Sequence, residues 1–178
     1  MILAAFEKML SWPPPAWVRK VETAAILGVF ANAFDVDPPA LEDRPVDECL
    51  PIFCEFTAAC MEAALEDEQV AAMYRDRLRE GGFRLGSQLR STLNVRASSA
   101  FAFAQFLYRG IGIELMADES GGLRFGSCYF SERYTPEDCW FMSAFDEGFL
   151  CGIIGVDGTL CFSCRLTEGA ACCCAELK

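Results

Sequence analysis

The hydrophobic pattern of this 178-residue chain first changes period near residue 110, and that change limits the folds open to it. Up to Leu107 the apolar residues recur every three or four positions, the spacing of amphipathic helices. Beyond it they alternate in short runs bounded by turn residues, the pattern of strands. A helical half followed by strands implies an α+β fold rather than alternating βαβ units. The size suits one domain with a large core, which 53% hydrophobic and 23% charged residues also favour. Its expected parts are N-terminal helices and a linker (1–45), a helical scaffold (46–110) and a cysteine-rich unit (111–178).

In the helical half, residues 2–10 suit a short apolar helix stopped by Pro13-Pro14-Pro15, and residues 21–34 suit a second. Asp47 is placed to cap a third, whose stripe of Ile52, Phe53, Phe56, Cys60 and Ala64 faces a core or pairs two copies of the chain. Cys49, Cys54 and Cys60 read as buried small hydrophobes. Residues 66–94 are helical in pattern, with Gly81-Gly82 marking either a break or a tight crossing. This stretch carries Arg75, Arg77, Arg79, Arg84 and Arg90. Arg84 and Arg90 are candidate partners for a ligand carboxylate, against the alternative of a solvated face with Glu80 and Arg84 paired four residues apart. Ser98 or Ser99 begins the next helix.

Residues 112–117 and 123–130 read as a hairpin around Asp118-Glu119-Ser120-Gly121-Gly122. Thr135, Pro136 and Asp138 then form a strong helix start, with a capping hydroxyl, proline at the first position and an acid in the first turn. On this helix Phe141, Phe145 and Phe149 make a core stripe, while Cys139, Ser143 and Asp146 share the neighbouring edge. Seven residues of helix rise about 10 Å, so Cys139 and Asp146 cannot both ligate one ion. Residues 159–166 and 170–177 suit a second hairpin around Glu168-Gly169. An even loop there opposes Cys164 to Cys173 on the buried face and turns Cys161, Cys172 and Cys174 outward; an odd loop opposes Cys164 to Cys172.

Composition excludes several functions. A net charge of −11 with a pI near 4.4 argues against nucleic acid and acidic membrane surfaces as partners. No apolar run is long enough to cross a bilayer, and Glu7 and Lys8 interrupt the start where a signal peptide is apolar, so a cytoplasmic protein is expected. Eleven cysteines make an odd count without a secretory signal, which does not read as a disulfide framework. With no histidine, Ser-His and Cys-His catalysis and histidine-ligated metals are excluded. Zinc or an iron–sulfur cluster is left with Cys128, Cys139, Cys164 and Cys173 as candidate ligands, against buried thiols of which one or two are reactive.

Phe83-Arg84-Leu85-Gly86 with Leu89-Arg90, and residues 107–113 (Leu-Tyr-Arg-Gly-Ile-Gly-Ile), resemble the 4-vinyl reductase domain superfamily. So does the tail, with a strand ending in Cys128, the helix bearing Cys139, and Leu166-Thr167-Glu168-Gly169 leading to Cys173. The resemblance implies the α+β fold shared with Bet3-type subunits of the vesicle-tethering transport particle, and a small-ligand-binding role. The nearest flavour is the aminothiazoline carboxylate hydrolase-like branch, by which Cys128, Cys139, Asp146 and Cys173 are the positions carried over; Ser143 stands where another cysteine is expected. Three functions follow as expectations. The first is a small-molecule-binding domain whose pocket lies between helices and sheet, lined by cysteines with Phe141 and Phe145. The second is a ring-opening hydrolase with Cys139 or Cys173 as nucleophile or metal ligand and Asp146 as general base. The third is a homodimeric interaction module.

Overall fold

The computed structural model describes residues 12–117 and 122–178, and among them the fold is α+β. Five helices are described, α1 (Ala16–Phe34), α2 (Val46–Leu65), α3 (Glu68–Thr92), α4 (Ala97–Gly110) and α5 (Pro136–Ile154). Four strands, β1 (Ile113–Ala117), β2 (Leu123–Cys128), β3 (Leu160–Cys164) and β4 (Cys173–Leu177), form one sheet in the order β1-β2-β4-β3. The helix expected at residues 2–10 and the turn expected at 118–121 lie outside the described residues.

Local chemistry sets most boundaries. The proline run ends at Pro15, the cap of α1, which closes at Asp35 in the left-handed region with φ 55°. Asp47 is not the cap of α2: Pro45 holds that place, and Asp47 lies with Glu48 in the first turn, where carboxylates suit the helix dipole. Asp67 caps α3, its Oδ1 accepting from the backbone N–H of Gln69 at 2.8 Å and Val70 at 3.2 Å. Thr135 starts α5 with a reciprocal capping box: its hydroxyl accepts from the Asp138 N–H at 3.1 Å, and the Asp138 carboxylate accepts from the Thr135 N–H at 3.0 Å.

Of the two readings of Gly81-Gly82, the tight crossing holds and the break does not, because Gly82 and Gly86 of α3 lie where the main chain of α5 passes. A Cβ on Gly82 would lie 2.6 Å from the Phe145 carbonyl oxygen, and one on Gly86 would lie 2.5 Å from that of Phe149. Gly148 and Gly152 of α5 face the backbone of Arg79 and Phe83 in the same way. Four glycines, two per helix at a spacing of four, thus let α3 and α5 meet backbone to backbone. This seam brings α5 into the centre of the molecule, where Phe141, Phe145, Phe149, Leu150 and Ile153 are at most 2% exposed.

Aromatic rings carry the core from the helices to the sheet. Phe30 of α1 meets Phe53 of α2 at 5.6 Å and Phe145 of α5 at 5.8 Å; Tyr108 of α4 meets Phe149 at 6.1 Å and Phe125 of β2 at 6.0 Å. Such pairs contribute about 0.5–1.5 kcal/mol each beyond the area they bury. Phe53 is therefore in the core, with Ile52 and Phe56 half-buried against it.

The sheet consists of two hairpins joined through β2 and β4, all pairings antiparallel. Along β3 and β4 the register begins as an even loop requires, with Leu160 opposite Leu177 and Phe162 opposite Ala175. A bulge after Phe162 then shifts the pairing by one, and Cys164 faces Cys174 instead of Cys173. Cys173 and Ala175 point into the core, whereas Cys164 joins Cys172 and Cys174 on the other face. Among the described residues, no helix is long and apolar enough to cross a membrane.

Candidate functional site

The centre of the molecule encloses a cavity of about 50 Å³ where α1, α2, α5 and the end of β2 converge. Most of its wall is apolar, from Ile26, Leu50, Phe53, Ile113, Phe130, Met142 and Phe145. Cys128, Cys139, Tyr134 and Asp146 supply its chemistry, with Thr23 beside them. On α5 the cavity residues Cys139, Met142 and Asp146 follow one another at spacings of three and four, so a single helix edge forms one wall. The strand alternation that buries Phe125 gives way at the end of β2, where Cys128 joins the wall as the chain enters a short 3₁₀ turn.

Asp146 is the one carboxylic acid on this wall. Burial pushes its pKa up to about 6, while a 2.9 Å hydrogen bond donated by the Tyr108 hydroxyl to Oδ1 opposes part of that rise. An aspartate in this state exchanges its proton near neutral pH and can either accept from or donate to a guest. The thiols lie at the opposite extreme. Burial pushes Cys128 up to about 12 and raises Cys139 and Cys173 as well, so all three are protonated at neutral pH. Tyr134 closes the far side, its hydroxyl bonded to that of Thr57.

Cys128, Cys139 and Asp146 are thus brought together, and Phe145 lies beside them. Phe141 does not line the cavity; it packs on Phe34 at 5.8 Å. The four cysteines Cys128, Cys139, Cys164 and Cys173 do not assemble as a zinc or iron–sulfur site: among the described residues, no three or more cysteine or carboxylate groups are placed to hold a metal ion. The β-bulge explains Cys164, and the thiol of Cys173 accepts instead from the Leu166 N–H at 3.2 Å.

No family model, curated protein or solved structure matches the chain. Its own geometry therefore decides which expected residues belong to the site.

The arginines expected to receive a ligand carboxylate are engaged in the scaffold. Arg84 pairs with Glu80 at 2.9 Å on an exposed helix face, the solvated alternative. Arg90 donates to the Ile154 carbonyl at 2.6 Å and closes the C-terminal end of α5 beside Gly155. Arg75 stacks on Trp140 at 3.8 Å, Arg77 pairs with Asp35 at 2.7 Å, and Arg79 binds Glu147, which also accepts from the Leu160 N–H. None of the five lines the cavity.

Two polar residues escaped sequence reasoning. Tyr108 sits within an apolar helical stripe and looks like core until its partner Asp146, 38 residues away, is known. Glu22 is a buried carboxyl on α1 without a hydrogen-bond partner among the described residues, lodged against Gly110, where a side chain would collide with it. Burial raises the pKa of Glu22 well above the usual range, with the nearby Arg19 opposing that. Its one signal in the sequence is an acid interrupting the apolar pattern of α1.

Proposed function

We propose that this chain is a cytoplasmic small-molecule-binding domain of the 4-vinyl reductase kind, with Asp146 as the polar anchor of its pocket. The carrying observation is the half-buried Asp146, fixed by Tyr108 on the wall of a mostly apolar cavity that also holds Cys128 and Cys139. Three of the four positions implied by the resemblance thus border one space. Pockets of this composition bind an apolar body and use a few polar groups for orientation.

The chemistry specifies the guest's polar end. With no arginine on the wall and an ionisable acid there, the complement is a donor such as an amine, rather than a carboxylate. At 50 Å³ the space is about a third of an engineered 150 Å³ cavity that admits benzene, so it takes a group of about two heavy atoms or the end of a longer molecule. Thiols held protonated by burial favour binding over nucleophilic hydrolysis, since the thiolate is the nucleophile.

Methylamine and formate are small enough to probe this reading. Methyl NMR of Ile26, Ile113 and Met142 is expected to show saturable shifts with the amine, at least about tenfold weaker in Asp146→Asn, and none with the carboxylate. Shifts that never saturate, or that are equal in the variant, overturn the proposal.

A further inference from the structure

The β-bulge that removes Cys164 from the core creates a second thiol group on the opposite face of the sheet. Cys172 and Cys174 lie two residues apart, with their sulfurs 3.6 Å from each other. Cys164 is the cross-strand partner of Cys174, and its thiol donates to the Cys172 carbonyl at 3.3 Å. The Cys174 side chain is within hydrogen-bond reach of both other thiols. All three are free and partly exposed, while Cys173 between them is buried on the inner face.

We propose that Cys164, Cys172 and Cys174 form a thiol–disulfide exchange site for low-molecular-weight disulfides, resting when oxidised as a Cys164–Cys174 bond. Directly paired antiparallel residues have Cα atoms about 4.5–5.5 Å apart, inside the range of about 4.4–6.8 Å that a disulfide spans. Residues two apart on a strand are separated by about 6.6 Å, at the edge of that range, so Cys172 serves better as the entry thiol than as the final partner.

The electrons balance with a disulfide RSSR as the oxidant. The Cys172 thiolate attacks one sulfur of RSSR, breaking its S–S bond and releasing one RS⁻. Cys174, in contact with Cys172, loses its proton to solvent and attacks the Cys172 sulfur of the mixed disulfide, expelling the second RS⁻. The Cys164 thiolate then attacks Cys174, freeing Cys172 as thiolate and leaving Cys164–Cys174. The protein gives up two electrons and two protons, and RSSR becomes two RSH. The oxidised bond clips the base of the 165–172 loop. It requires nothing of the central cavity.

Full-length protein treated with glutathione disulfide, alkylated and digested with trypsin tests the site directly. Cleavage after Arg165 separates Cys164 from Cys172 and Cys174. The expected product is therefore a pair of peptides linked through Cys164 and Cys174. Cys174→Ser is expected to reduce it at least tenfold, and Cys161→Ser, on the same hairpin, to leave it unchanged. Both positions are partly or fully exposed, so neither substitution disturbs the core. A linkage through Cys139 or Cys173, no linkage among the three thiols, or undiminished linkage to this hairpin in Cys174→Ser overturns the assignment.

Discussion

Replacing Gly82 by alanine puts the helix seam to a quantitative test. In an isolated helix this change stabilises by about 1 kcal/mol, because alanine has less backbone freedom to lose. Here the new Cβ would lie 2.6 Å from the Phe145 carbonyl oxygen and 3.0 Å from the Phe149 nitrogen, both main-chain atoms of α5. No side-chain rotation relieves such a collision. Reaching the ordinary 3.4 Å contact requires α3 and α5 to separate by about 0.8 Å and loosens the packing of their shared face. Overpacking of this kind costs about 1–3 kcal/mol, and with rigid backbone on both sides the upper end applies. Net of the propensity gain, Gly82→Ala is expected to destabilise by about 2 kcal/mol, lowering Tm by about 4–8 °C for a chain of this size. Gly28→Ala on α1 is the internal control: nothing lies within 4 Å of its Cβ, so it should stabilise by about 0.5–1 kcal/mol. Thermal and urea unfolding followed by circular dichroism measure both. A Gly82→Ala protein as stable as Gly28→Ala refutes the close backbone contact.

Other consequences follow from the two acids with raised pKa and from the cap. The folded-state pKa of Asp146, about 6, exceeds its unfolded value, so the stability it contributes is full below about pH 4 and is lost as pH rises through 6. The swing is on the order of 3 kcal/mol; Asp146→Asn should flatten this part of the urea-midpoint profile, and an unchanged profile contradicts the assignment. Glu22 obeys the same sign, its pKa being raised by burial, so Glu22→Gln should stabilise more at pH 8 than at pH 5; equal effects at the two pH values would show that Glu22 does not titrate as a buried acid. Thr135→Ala removes half of the capping box and should cost about 1 kcal/mol in urea denaturation; a loss within 0.2 kcal/mol, roughly the scatter of such measurements, would deny the cap a role.

Features encoded within a few residues were legible in the sequence. The Thr135-Pro136-Asp138 start, the two hairpins and the Glu80–Arg84 pair need only near neighbours, and each is present. Cys128, Cys139 and Asp146 stand out in the sequence, and they share one cavity. What escaped depends on distant chain. Gly81-Gly82 leaves a break and a tight crossing both open until the glycines of α5 are seen opposite, and Tyr108 reads as core until Asp146 is placed against its hydroxyl. The bulge in β3 reverses the facing of Cys164 with no proline or glycine at that point to announce it. The partners of Arg77, Arg79 and Arg90 are likewise distant, a backbone carbonyl and acids on other elements, which composition does not locate.

The most direct measurement of the central claim is the titration of the Asp146 carboxyl carbon by ¹³C NMR, assigned with Asp146→Asn, in the absence and presence of methylamine. A cavity acid that anchors a cationic guest predicts a midpoint near 6 that moves down on addition of the amine, because the ammonium stabilises the carboxylate. A midpoint in the ordinary aspartate range, or one near 6 that the amine leaves in place, contradicts the account.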